Sequence, residues 1–150
     1  MDLRRGTVVA VTGAAMFFTG CAPRSTREVA ANRSDVRFEG GGFVLDGRAL
    51  EDGPGSIVAA LTGKIPNFRV QRNSGECPII TLRNAVSFHG VVNPHVYVDG
   101  IRATNTCVLI QLRTDDVARV EVYPLGFTQR PGYGTHAHGL ILVFMRSAGN

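Results

Sequence analysis

Pro94-His95-Val96-Tyr97-Val98-Asp99-Gly100 is the stretch from which the rest of the chain is read. Val96 and Val98 alternate with His95, Tyr97 and Asp99. Period-two alternation of β-branched and aromatic residues marks a strand with one face on a core. Asp99-Gly100 is a hairpin dipeptide, because glycine reaches positive φ without strain. The stretch is therefore a strand ending in a tight turn, and Ile101 and Arg102 start the return.

Downstream, Cys107–Leu112 is a further apolar run. Thr114-Asp115-Asp116 has the form of a helix cap and first turn, with Thr114 at the N-cap and two carboxylates near the positive end of the dipole. Val120 and Val122 alternate with Arg119, Glu121 and Tyr123, so Ala118–Tyr123 reads as a strand. Pro124–Gly139 is a Gly-rich, polar connection. Leu140–Met145 is nearly unbroken in apolar character, as a central strand covered on both faces requires.

Upstream, Pro78–Leu82 reads as a strand, followed by Arg83-Asn84 and a loop holding Ser87, His89 and Gly90. Phe68–Gln71 is a strand by composition. Ser56–Thr62 is a short helix, with Ser56 as N-cap, Gly63 just past its end and Pro66 as the stop. Phe43–Leu45 alternates briefly before Asp46-Gly47, a second turn dipeptide, and Val36–Phe38 is a strand broken at Gly40-Gly41-Gly42. Short helices mixed with about six strands predict an α+β fold, a small mixed β-sheet with one core. A chain of 150 residues with 44% apolar and 19% charged residues suits one domain. The net charge of +4 comes from scattered arginines with no basic run longer than two, so no nucleic-acid partner is expected.

The first residues read as a targeting segment. Arg4-Arg5 precede the apolar run Val8–Phe18, which is shorter than the roughly 20 residues a transmembrane helix needs. Phe18-Thr19-Gly20-Cys21 resembles the lipobox of a bacterial lipoprotein signal, with Phe18 where Leu is usual. The resemblance implies cleavage after Gly20, a lipid on Cys21 and, from Ala22, sorting to the outer membrane; the alternative is an ordinary signal peptide with an incidental cysteine. Residues 21–35 are polar and read as a flexible tether, and 36–150 as the domain. With Cys21 lipidated, Cys77 and Cys107 remain. An oxidising periplasm favours one bridge between them, against two separate buried thiols.

Five landmarks then fall in the order of the plug domain of TonB-dependent outer-membrane receptors. Ile57–Val70 resembles its helix–Pro–Val segment. Ile80-Thr81-Leu82-Arg83-Asn84 is similar to its Ile-Arg-Gly strand end, with Asn84 in place of Gly. Pro94–Gly100 is similar to its Pro-x-x-Val-x-Asp-Gly hairpin, and Asp115–Val122 to Asp-Ile-Glu-x-Ile-Glu-Val. Tyr133-Gly134 through Gly139-Leu140-Ile141-Leu142 resembles its closing strand. A full receptor continues into a 22-stranded barrel, and none follows here, so the resemblance implies the fold without active transport. The implied function is a lipid-anchored binding or interaction module at the periplasmic face of the outer membrane. Its partners would be the membrane, through the anchor, and an outer-membrane barrel or another envelope protein. The alternative is a structural or regulatory envelope lipoprotein that uses the fold as a scaffold.

No catalytic constellation emerges, and no enzyme, cofactor or metal is expected. Gly63-Lys64 is followed by Ile65 and lacks the upstream glycine of a P-loop. Ser56, Ser74 and Ser87 are not in a nucleophile elbow. His136-x-His138 has metal-like spacing, but without a nearby carboxylate or thiol it reads as exposed loop histidine. Asp99 is explained by its turn, and Asp115 and Asp116 by capping. Arg83 is read as structural or as pairing with an acid such as Glu121. Tyr97, Tyr123, Phe127 and Tyr133 are the exposed aromatics that could form a binding face, or equally pack over turns.

Overall fold

A computed structural model describes residues 36–51, 55–72, 75–83 and 93–147. The leader, Cys21, the tether, and the loop with Asn84, Ser87 and His89 lie outside the described residues, as does Ser74. The described residues form eight strands: β1 (Val36–Glu39), β2 (Gly42–Asp46), β3 (Arg69–Gln71), β4 (Ile79–Thr81), β5 (His95–Val98), β6 (Ile101–Arg102), β7 (Val117–Tyr123) and β8 (Leu140–Met145). Three short helices accompany them: α1 (Gly47–Glu51), α2 (Ile57–Leu61) and α3 (Val108–Gln111). The main sheet has six strands in the order β1-β2-β7-β8-β5-β6, and β3 and β4 form a separate pair. The α+β expectation holds, with eight strands rather than about six. Among the described residues no helix is long and apolar enough to cross a membrane.

The hairpin forms as its sequence dictates. Val98 pairs with Ile101 across a two-residue turn, and both turn residues take positive φ, Asp99 at 47° and Gly100 at 83°. That is the conformation whose twist matches two antiparallel strands. Asp99 does more than turn: its amide donates to Val143 O at 2.9 Å, and its Oδ1 accepts from Met145 N at 2.9 Å. The turn thereby extends the parallel ladder of β5 and β8 by one step.

β8 is central, antiparallel to β7 and parallel to β5. Its alternation feeds two cores. Ile141 and Val143 join Val96, Val120 and Val122 in the larger cluster, with Leu50, Ile57, Leu61, Ile80 and Leu109 from the helices and β4. Leu140 and Leu142 face the other way, with Tyr97 and Tyr123. Each fully buried aliphatic side chain contributes about 1.5–3 kcal/mol of transfer free energy. The one-faced strand expected at His95–Val98 is therefore covered on both faces, Val96 on one side and Tyr97 on the other.

Two local expectations are corrected, and a third segment gains its structure. Asp46-Gly47 is not a turn: Asp46 still pairs with Arg119, and α1 begins at Gly47, burying Ala49 and Leu50. The N-cap of the single 3₁₀ turn Thr114–Asp116 is Arg113, and Thr114 is the turn's first, buried residue. Cys107–Leu112 is helical between its ends, with Leu109 buried. The cap at Ser56 is present, its hydroxyl accepting from Ala59 N at 3.4 Å, and Gly63 takes φ 84° beyond the helix.

Cys77 and Cys107 are bonded, 30 residues apart in sequence. The bridge joins the segment before β4 to the start of α3. Beside it the Thr106 hydroxyl donates to Pro78 O at 2.5 Å. Lys64 is buried and donates to the Ala49 carbonyl, which ties the end of α2 to α1.

Candidate functional site

The connector from Pro124 to Gly139 lies across the second face of the sheet and builds two polar clusters there. The first centres on Glu121. The alternation of β7 sends Val120 and Val122 into the larger core, so Glu121 and Tyr123 emerge under the connector, and the Glu121 side chain is fully buried. Its Oε2 accepts from Tyr123 OH at 2.8 Å and from Arg130 Nε at 2.7 Å. Its Oε1 accepts from Arg130 Nη2 at 2.6 Å. Arg119 Nε stands 2.6 Å from the same oxygen as an ion pair without hydrogen-bond alignment. The Arg130 guanidinium also lies 5.1 Å from the centre of the Phe144 ring.

Burial would push the Glu121 carboxyl up, but hydrogen bonds from Arg130 and Tyr123 and the charges of Arg119 and Arg130 outweigh it and hold the group below its ordinary value. Burial, with Glu121 adding to it and Thr128 opposing, raises the Tyr123 hydroxyl. A carboxylate held ionised with its lone pairs occupied by donors is a poor proton acceptor. This cluster locks the connector down; it is not built for acid–base work. Arg83 is not its partner: Arg83 donates instead to Ala137 O at 2.7 Å, pinning the far end of the same connector.

The second cluster sits where β5 starts. Parallel pairing aligns His95 with Leu140, and His95 N donates to Gly139 O at 3.1 Å. That places His95 beside the last turn of the connector. The His95 and His136 rings stack with centres 3.6 Å apart and 22° between planes, and His138 lies 5.6 Å from His136. From β6, Arg102 Nη2 lies 2.6 Å from His95 Nε2. A guanidinium can only donate, so this ring nitrogen accepts and His95 is neutral with its proton on Nδ1. Burial first, then His136 and Arg102, lower the His95 pKa. Burial first, then His138 and Arg102, lower that of His136, with a hydrogen bond to the Gly139 backbone opposing. His136 and His138 are half-buried members of this cluster rather than the exposed loop residues expected from their Gly-rich segment. Among the described residues no group of histidine, cysteine and carboxylate could hold a metal ion.

A groove of about 260 Å³ opens beside this cluster, lined by His95, Arg102, His136, Asn93, Thr104 and Asn105 among others. The expected aromatic face is largely internal. Tyr97 is 9% exposed and Tyr123 5%, and the half-buried Tyr133 ring meets Tyr97 edge-on at 5.1 Å. Phe127, 49% exposed, is the member that reaches solvent.

The fold is similar to part of a peptide importer. Solved structures of the RagAB peptide importer in its closed-closed state and of the RagAB peptide transporter each match with a TM-score of 0.56 and 19% identity. Each match covers 74% of this chain and 13% of that one, so the chain corresponds to a small portion of those proteins. The likeness is one of backbone arrangement and agrees with a plug-like domain. No family model matches the sequence, and no curated protein does.

Proposed function

We propose that the chain is a non-enzymatic interaction module of the cell envelope, built on a plug-like domain and held at the periplasmic face of the outer membrane by lipid on Cys21. The observation that carries this reading is the likeness of the domain to a small portion of a peptide importer. The Phe18-Thr19-Gly20-Cys21 motif supports the anchor, and the Cys77–Cys107 bond supports an oxidising compartment. Two or more acyl chains would hold the domain on a bilayer without a spanning helix, each buried methylene contributing about 0.8 kcal/mol. Its partner is then an outer-membrane barrel or another envelope protein.

A scaffold role is the second reading, and the burial of Tyr97 and Tyr123 favours it, because it removes half of the aromatic face a partner would use. Metabolic labelling with palmitate tests the anchor: incorporation is expected in the wild type and lost in Cys21→Ala, and labelling that survives the substitution refutes it. Crosslinking in intact cells separates the readings. A specific envelope partner supports the interaction module, and none supports the scaffold.

A further inference from the structure

The groove beside the stacked histidines brings several hydrogen-bond donors together. Arg102 brings a planar fork of N–H groups, and its one partner among the described residues is the neutral His95 ring. Asn93 Oδ1 is occupied, accepting from Ile80 N at 2.7 Å. Asn105 Oδ1 is occupied too, accepting from Cys107 N at 3.0 Å. In each asparagine the oxygen is used and the NH₂ is left to donate. Among the described residues no Asp or Glu lines the groove. His136 Nδ1 is buried without a hydrogen-bond partner among the described residues.

We propose that this groove binds an oxyanion, a carboxylate or phosphate group, seated on Arg102 with His95, His136 and the two asparagine amides around it. A carboxylate or phosphate matches a guanidinium in two parallel hydrogen bonds, and its charge answers that of Arg102, which no acid among the described lining residues balances. Among the described residues, the charged and titratable groups beside the pair are Arg102 on β6 and His138 on the connector. Neither is an acid. In the empty groove the rings therefore stay neutral and stacked. An anion pairs with the protonated rings and draws them into the charged form, so binding takes up protons. Affinity rises as pH falls through the histidine range.

Titration of the full chain, disulfide intact, against three probes tests this: inorganic phosphate, a short peptide with a free C-terminal carboxylate, and the same peptide amidated. Histidine ring NMR signals give the readout. Phosphate or the free-acid peptide should bind at least about tenfold more tightly near pH 5.5 than near pH 7.5 and move the His95 and His136 titrations upward. Arg102 is exposed, so Arg102→Gln should fold with an unchanged melting temperature and lose binding at least about tenfold; Arg102→Lys should recover part of it. Binding of phosphate alone assigns the oxyanion to phosphate, and binding of the free acid but not the amide assigns it to a carboxylate. Detectable binding of the acid and amidated peptides with the same affinity, no histidine shift with any probe, or full binding by Arg102→Gln would overturn the proposal.

Discussion

Replacing Glu121 with glutamine keeps the shape of the side chain and removes the charge on which two arginines converge. The amide presents one oxygen and an NH₂ where the carboxylate accepted from Tyr123 OH and from two nitrogens of Arg130. At least one donor of Arg130 or Tyr123 then faces another donor. Breaking a fully buried ion pair from one side costs about 3–5 kcal/mol. Here the acid is buried, but the Arg130 and Arg119 side chains are 42% and 31% exposed. Water can take over part of their solvation, so about 3 kcal/mol is expected. For a domain of this size that lowers Tm by roughly 10–20 °C.

The pH dependence gives the sharper reading. The folded carboxyl is held below its ordinary value, so its contribution is fully present above the unfolded pKa and lost as pH falls through the folded one. Urea unfolding of the wild type and Glu121→Gln, followed by circular dichroism with the disulfide intact, should show the full gap near neutral pH. The gap should close in the acid range, below about pH 4. A gap under about 1 kcal/mol at neutral pH, or one of constant size down to the acid limit, would refute the ionised-carboxylate account.

Other perturbations follow from single contacts. In Gly100→Val the added Cβ meets only open space, with Tyr133 OH at 4.0 Å. The cost is backbone strain at φ 83°, about 1–2 kcal/mol; Gly100→Asn should recover most of it, and an unchanged Tm in the valine variant would count against the hairpin. Removing the bridge in Cys77→Ser/Cys107→Ser releases a loop of 30 residues and should cost about 3–4 kcal/mol by chain entropy; equal denaturation midpoints for the oxidised wild type and the double variant would exclude that. Gly126→Ala places a Cβ 1.6 Å from His136 O at a residue with φ 75°. It should lower stability by at least about 2 kcal/mol and shift the His136 ring signal; a normal melt with an unmoved His136 signal would contradict the packing.

What was legible in the sequence was local. Asp99-Gly100 encodes its turn in two residues, and the apolar run Leu140–Met145 encodes a strand with no polar side. Alternation also placed Val120 and Val122 correctly. It does not tell that Glu121 and Tyr123 are buried, because polarity on the second side of a strand is the usual mark of solvent. Here a sixteen-residue connector covers that side and supplies Arg130 from nine positions away. Tyr97, left open between a binding face and packing over turns, is packed against Tyr133 of the same connector. Asp46-Gly47 carries the composition of a turn, yet tertiary packing of Ala49 and Leu50 makes it a helix start. His95 and His136 meet only because β5 and β8 pair in parallel, and no local pattern encodes that register.

The connector links these features. It is held down by Arg130 on Glu121 and Phe144, folded back where His136 N donates to Gly126 O at 2.8 Å, and pinned by Arg83 at Ala137. Those ties fix the backbone from which His136 reaches the His95 ring. The position of the donor groove is therefore inherited from a buried ion pair elsewhere on the sheet, while its rim belongs to other segments: Arg102 to the hairpin, and Thr104 and Asn105 to the loop after it. Stability and recognition are thus divided between different residues. Changes at Glu121, Gly126 or Arg130 must disturb both, because they move the platform. Changes at the exposed Thr104 and Asn105 can alter what the groove accepts while leaving both cores of the sheet intact.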